Sequence, residues 1–281
     1  MSMVWRLGTK TLDCSAPRVI AIVNAAPDSF FAGSRLPAGQ EDRRASLEAL
    51  LAAAPDVIDV GGLSTRPGSR PVSTAEETSR VVPVIEELRR LDAHVPITVD
   101  TYTAEVAEAA LSAGADGVND ISAGRLDPRL LEVVAHSGCG YVLMHMQGTP
   151  QTMQDAPCYA DCVGEVREFL RSGLERLAAL GIALERVVVD PGIGFGKRFE
   201  DNLALVRDAA ALRELGRPLV FGVSRKSFLG RLTGAQDPAD RLAATLGVTW
   251  RLLECGVMLH RVHDAAAVRQ LMNAWAGLRA G

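Results

Sequence analysis

The sequence predicts a closed (β/α)8 barrel with a short N-terminal hairpin. Three observations lead there. Short apolar runs rich in β-branched residues occur eight times along the 281 residues. Stretches of helical length, with Ala, Leu, Glu and Arg at helical spacing, lie between them. Each apolar run leads into polar residues or a glycine-rich turn, which in a barrel would gather on one rim. Strands alternating with helices imply parallel strands joined by crossovers. At about 150 residues per domain the length suggests two domains, but such barrels reach about 250 residues as one unit. Residues 1–281 are therefore read as a single domain. A doubly wound open sheet is the alternative architecture.

The elements follow in order. Residues 5–13 precede the first barrel strand and read as a small hairpin. The segment 1–17 is expected to cap the barrel bottom. Strands are expected at residues 19–23, 57–60, 97–99, 117–118, 141–144, 187–189, 219–223 and 257–262. Their near-continuous apolar character fits parallel strands buried on both faces. Helices are expected at 41–54, 75–91, 104–113, 164–180 and 239–255, and Ser227 should open the seventh helix. From Ala239 onward, apolar residues cover more than one helical face: Leu246, Val248, Trp250, Leu252 and Leu253, then Leu271, Met272 and Trp275.

Composition narrows the function classes. Hydrophobic residues make up 48% and charged residues 23%, which excludes a disordered chain. The net charge of −4 provides no global positive field for nucleic acid or anionic lipid, so any anion site must be local. No run approaches the ~18–20 apolar residues of a membrane span. Residues 1–10 lack the apolar run of a signal peptide, and a cytoplasmic location is expected. The five cysteines are odd in number and irregularly spaced. Cys158 and Cys162, four apart, would share a helical face, but no nearby His completes a zinc set. Reduced thiols are the expectation.

The strand ends carry the chemistry. In order they are Asn24; the run from Gly61 to Gly68; Asp100-Thr101; Asn119-Asp120; His145; Asp190-Pro191-Gly192; Ser224-Arg225-Lys226-Ser227; and Arg261 with His263-Asp264. Single Asp residues after strands are commonly helix caps. Eight polar endings on one rim are better explained by a site. Asp100 and Asp190 could each accept paired N–H bonds from a guanidine-like edge, and Asn119 adds a donor and an acceptor. That set suits a flat, nitrogen-rich heterocycle such as a pterin or purine better than it suits a metal cluster. Arg66, Arg225, Lys226, Arg261 and His263 form a local basic rim. Arg261 and His263 are two apart on a strand and face the same way, which suits a phosphate clamp. The Ser227 N–H at a helix start is a candidate anion contact.

With these residues in view, the chain resembles the dihydropteroate synthase family nearly end to end. The motifs are Ile22-Val-Asn-Ala-Ala-Pro-Asp-Ser-Phe30, Gly61-Gly-Leu-Ser-Thr-Arg-Pro-Gly68, Val99-Asp-Thr101, Val118-Asn-Asp-Ile121, Leu143-Met-His-Met-Gln-Gly-Thr-Pro150, Asp190-Pro-Gly-Ile-Gly-Phe-Gly-Lys197, Ser224-Arg-Lys-Ser227 and Arg261-Val-His-Asp264. The resemblance implies a cytoplasmic transferase of folate biosynthesis. It would condense hydroxymethyl-dihydropterin pyrophosphate with p-aminobenzoate, assisted by Mg2+, and release pyrophosphate early. A homodimer through the last helices and a place among sulfonamide targets are also implied. Asp100, Asp190, Lys226, Arg261 and His263 would be catalytic. Asp100, Asn119, Ile121, Met144, Asp190, Phe195, Gly222 and Lys226 would surround the pterin. Pro27, Phe30, Thr65, Arg66, Pro67 and Ser227 would lie on the p-aminobenzoate side. Asn24, Arg261 and His263 would hold pyrophosphate, with Asn24 also touching the metal.

The sequence departs from the family pattern at Ala26, Phe31, Ala32 and Leu63, where Thr, Ser, Asp and Glu are usual. Mobile loops tolerate such change. The alternative reading is a pterin-binding paralogue with weak or altered catalysis. A methyltransferase module on the same barrel is a third.

Overall fold

The computed structural model describes residues 3–26, 36–37, 39–63 and 72–279. Strands β1 (Val4–Leu7) and β2 (Lys10–Asp13) form an antiparallel hairpin. The barrel strands are β3 (Arg18–Asn24), β4 (Val57–Gly61), β5 (Ile97–Asp100), β6 (Gly117–Asp120), β7 (Gly140–Met144), β8 (Val187–Asp190), β9 (Val220–Phe221) and β10 (Leu259–Val262). They run parallel in the order β8-β7-β6-β5-β4-β3-β10-β9. A single parallel bridge, Val189 to Leu219, joins the two ends into a ring. The fold is the (β/α)8, or TIM, barrel.

Helices α1 (Gln40–Ala52), α2 (Thr74–Leu91), α3 (Ala104–Ser112), α4 (Arg129–Ser137), α5 (Cys162–Ala179), α6 (Phe199–Arg207), α7 (Ser227–Thr233), α8 (Leu242–Glu254) and α9 (Ala265–Arg279) surround it. Local chemistry sets their ends. The Ser73 hydroxyl accepts from Glu76 N–H at the start of α2, and Asp161 does the same for Gly164 at the start of α5. Gly138, at φ 72°, ends α4 in the left-handed conformation.

Two expected elements differ. The run 219–223 forms only a two-residue strand. Pro218 has no N–H to give, and the chain after Phe221 turns away, with Arg225 at φ 57°. The stretch 239–255 divides into a 3-10 turn at Pro238–Arg241 followed by α8. Pro238 sits at the turn's first position, where its fixed φ is suited.

The hairpin packs into the bottom of the barrel. Trp5 and Leu7 are fully buried. They share a cluster with Ile20, Val57, Val142, Val188, Val220 and Leu259 from six different strands. The Trp5 indole N–H donates to Arg186 O at 3.0 Å. Gly140 makes the room, since an added Cβ would lie 2.8 Å from Leu7 Cδ2 and 3.0 Å from Trp5 Nε1. The larger core lies between the barrel and its helices.

Candidate active site

The centre of the site is a residue that reading strand ends missed. Asp59 lies in the middle of β4 and is 1% exposed. Arg261 Nε donates to its Oδ2 at 2.6 Å, and Asn119 Nδ2 donates to the same oxygen at 2.9 Å. Thr98 Oγ1 donates to Oδ1 at 2.5 Å. Arg261 Nη2 also donates to Asp100 Oδ2 at 2.7 Å. Residues from β4, β5, β6 and β10 thus meet inside the barrel. Below them is a cavity of about 10 Å³, bordered also by Trp5. That is roughly the space of one water.

The sequence held a signal for Asp59. It is a lone charge in the apolar strand Val57-Ile-Asp-Val-Gly61, paired in register with Thr98. Such a charge needs a partner when buried.

Burial and then Asp59 push the Asp100 carboxyl upward, against the pull of Arg261. Burial disfavours the Arg261 charge, but Asp59 and Asp100 more than offset it, and the guanidinium stays protonated. Asp190 ends β8. Its Oδ1 accepts the Gly192 N–H at 2.7 Å, yet burial raises its pKa. Burial lowers Lys226 to about 8, opposed mainly by Asp190. The Lys226 ammonium donates to Ile193 O and lies 4.4 Å from the Phe195 ring centroid. Three carboxylates (Asp59, Asp100, Asp190) therefore face two cations (Arg261, Lys226). Fully ionised, the group carries one excess negative charge.

An apolar patch adjoins it. Ile121, Met144, Met146 and Met153 form one buried cluster, with Tyr102 and Phe195 packed against it. Met146 and Met153 escaped the sequence reading, because a Met in a loop has no signature of its own. Gly222 leaves space beside Arg261, where an added Cβ would lie 3.9 Å from Arg261 Cβ. Asn24 ends β3 in register with Gly61, partly buried.

Several rim expectations are corrected. Arg225 faces away from the site. It is buried, with Nε and Nη2 each 2.7 Å from an Asp264 oxygen and Nη1 on the Pro238 and Ala239 carbonyls. These bonds hold the loop in place. His263 is not cationic: burial, then Arg261 and Arg225, lower it to about 3. The Ser224 hydroxyl oxygen accepts the His263 backbone N–H at 3.2 Å and lies 2.9 Å from Nδ1. That arrangement favours the hydroxyl donating to Nδ1, leaving the ring proton on Nε2. Ser227 is exposed and begins α7. Asp120 is fully buried and satisfied by Ser122 N–H, Gly124 N–H and Tyr141 Oη, so it shapes a turn. Cys158 precedes α5 and does not share its face with Cys162. All five cysteines are free thiols.

Pro27, Phe30, Phe31, Ala32, Thr65, Arg66 and Pro67 lie outside the described residues. Among the described residues, no group of three His, Cys, Asp or Glu is arranged to hold a metal ion. None of their helices is long and apolar enough to cross a membrane.

A barrel with this polar centre and adjoining apolar wall matches a known group. Residues 20–263 match the family described as pterin binding enzyme, and the chain belongs to that family. Its relatives include dihydropteroate synthases. It is 40% identical over 256 residues to the dihydropteroate synthase of Synechocystis sp., covering 90% of this chain and 87% of that one. It is similar in structure to the Yersinia pestis dihydropteroate synthase in a sulfonamide drug complex, with a TM-score of 0.93, 36% identity, and coverage of 99% of this chain and 100% of that one. The Xanthomonas albilineans dihydropteroate synthase in complex with 7,8-dihydropteroate gives a TM-score of 0.85 at 35% identity, with 100% of both chains covered.

Proposed function

We propose that this protein joins hydroxymethyl-dihydropterin pyrophosphate to p-aminobenzoate, giving dihydropteroate and pyrophosphate in folate synthesis. The observation that carries this reading is the Asp59–Arg261–Asp100 cluster, with Asn119, Asp190 and Lys226 around it. Asp190 and Asn119 would bind the pterin edge, and Met144, Ile121 and Phe195 would cover its faces. Gly222 leaves room for the ring. The C–O bond to pyrophosphate breaks and the electron pair leaves with the pyrophosphate. The nearby Asp100 and Asp190 carboxylates would stabilise the pterin cation left behind. The aniline nitrogen then forms the C–N bond and loses a proton. Arg261 supplies the cation for the leaving group, and His263 supplies a neutral N–H.

Mg2+ fits only as part of the substrate. Asn24 is one neutral oxygen donor at a strand end, which suits a metal already carried by pyrophosphate oxygens. Such a metal would neutralise leaving-group charge. Pro27, Phe30, Thr65, Arg66, Pro67 and Ser227 are assigned to the p-aminobenzoate side by family resemblance. The same resemblance supports a cytoplasmic enzyme forming a homodimer through α8 and α9.

The test is direct. Incubation with pterin pyrophosphate, p-aminobenzoate and Mg2+ should release pyrophosphate in step with dihydropteroate. No release above blank overturns the reading, and tight pterin binding without turnover would identify the paralogue instead.

A further inference from the structure

Lys197 ends the loop after β8 and is 3% exposed. Its Nζ lies 2.8 Å from His145 Nδ1, 3.0 Å from Phe195 O and 3.4 Å from His145 O. Among the described residues, no carboxylate lies within ion-pair distance of it. All three partners are acceptors. The two carbonyls are fixed in that role. His145 joins them because burial, then Lys197, lower its ring to about 2, so it is neutral. An ammonium has three N–H bonds to give, and three neutral acceptors match it.

This contact spans two loops. His145 follows β7, while Phe195 and Lys197 follow β8. The rest of the second loop is clamped from outside. Gln154 Nε2 donates to Gly194 O at 2.8 Å, Tyr159 Oη to Gly196 O at 2.5 Å, and Gly194 N to Asn202 Oδ1 at 2.7 Å. Gly192 lies between Lys197 and the site. Its N–H holds Asp190, and an added Cβ would lie 3.4 Å from Lys197 Nζ and 1.9 Å from His145 O. The lysine nitrogen thus lies directly behind the turn that carries Asp190.

We propose that Lys197 is a positioning residue for the pterin end of the site. Its ammonium ties the two loops together, holds Phe195 in place and sets a positive charge behind Asp190. The pterin roles of Asp190 and Phe195 rest on the function proposed above. The groups facing this charge are Asp190, Cys162 on α5, Asp201 on α6 and Lys226 before α7. Asp190 itself also faces Lys226 and Arg261. Lys197 therefore adds to a field that those two cations already supply.

The experiment compares wild type with Lys197→Met, Lys197→Gln and Lys197→Arg. The first arm follows the Asp190 side-chain carboxyl by 13C NMR in the ligand-free protein as pH changes. Met and Gln should raise its midpoint by about one unit, while Arg leaves it near wild type. The Gln variant carries this arm if the Met variant does not fold. The second arm is kinetic. Burial lowers Lys197 to about 7, so this arm is run at about pH 6, where the ammonium is populated. There Lys197→Met should raise KM for pterin pyrophosphate about tenfold, leave KM for p-aminobenzoate unchanged, and be rescued by Lys197→Arg. An unmoved Asp190 midpoint in both neutral variants, or an equal rise in both KM values, overturns the proposal. Failure of the wild type to release pyrophosphate would instead sink the proposed reaction. The NMR arm still decides the role of Lys197 in that case, because it uses no substrate.

Discussion

Replacing Asp59 by asparagine keeps the shape of the side chain and removes its charge. In the native site two donors, from Arg261 and Asn119, share one carboxylate oxygen, and Thr98 takes the other. The asparagine oxygen can still face Arg261 and Asn119. Its NH2 then points at Thr98, whose hydroxyl can rotate to accept. The loss is therefore one of charge, suffered by a partly buried guanidinium that retains only Asp100. A hydrogen bond to a charged group is worth about 1.5–3 kcal/mol net, and a neutral one about 1. The change should cost about 2–3 kcal/mol, below the 3–5 typical of removing a buried partner outright. For a chain of this size that lowers the melting temperature by about 3–5 °C. Arg261, held from one side only, should also lose alignment with the leaving group, lowering kcat/KM about 100-fold. A thermal melt and a pyrophosphate-release assay check both effects. If Asp59→Asn melted within about 1 °C of wild type and kept kcat/KM within about threefold, the central role given to Asp59 would be wrong.

Three other outcomes are expected. Arg261→Met should weaken binding of the pyrophosphate-bearing pterin more than that of 6-hydroxymethylpterin in calorimetry, and equal losses would show that the leaving-group role is misassigned. Gly192→Ala should lower stability by about 2–4 kcal/mol in urea unfolding, because position 192 has φ 68° and an added Cβ would lie 1.9 Å from His145 O. Unchanged stability would mean that the turn relaxes freely. Burial lowers Lys197 from 10.5 to about 7. The unfolded chain then binds more protons between those values, so this group's contribution to wild-type stability rises with pH across that window. The stability of Lys197→Met minus that of wild type should fall from pH 7 to pH 10, and a constant difference would show that Lys197 does not titrate there.

Most of the barrel was legible because its strands are buried on both faces and read as unbroken apolar runs. The exceptions have local causes. Residues 219–223 have strand composition, but Pro218 and the turn leading to Arg225 leave only Val220–Phe221 paired. Asp100, Asn119, Asp190 and Lys226 were found because each stands at or just beyond a strand's end. Asp59 was missed because it stands inside one. Arg225 and His263 were correctly placed on the chain, but the partners of one and the protonation of the other were not legible there. A left-handed backbone at 225 sends that side chain to Asp264, and burial, then the cations around His263, keep its ring neutral. Orientation and protonation depend on residues distant in sequence, so a local motif could not report them.

The ring of strands has one thin join. Between β8 and β9 the pairing is a single bridge, supported by Val189 N–H donating to Pro218 O at 3.0 Å. The other neighbours are paired over two to five residues. A cylinder closed this way resembles a split cuff more than a pipe, with its fewest strand-to-strand pairings at the slit. Asp190 stands at the end of β8 on one lip, and Lys226 lies beyond β9 on the other. The width of that join sets the separation of these opposite charges, whereas Asp59 stands on β4, remote from it in the ring. The proposed pterin end of the site thus straddles the side of the barrel with the fewest backbone ties between strands.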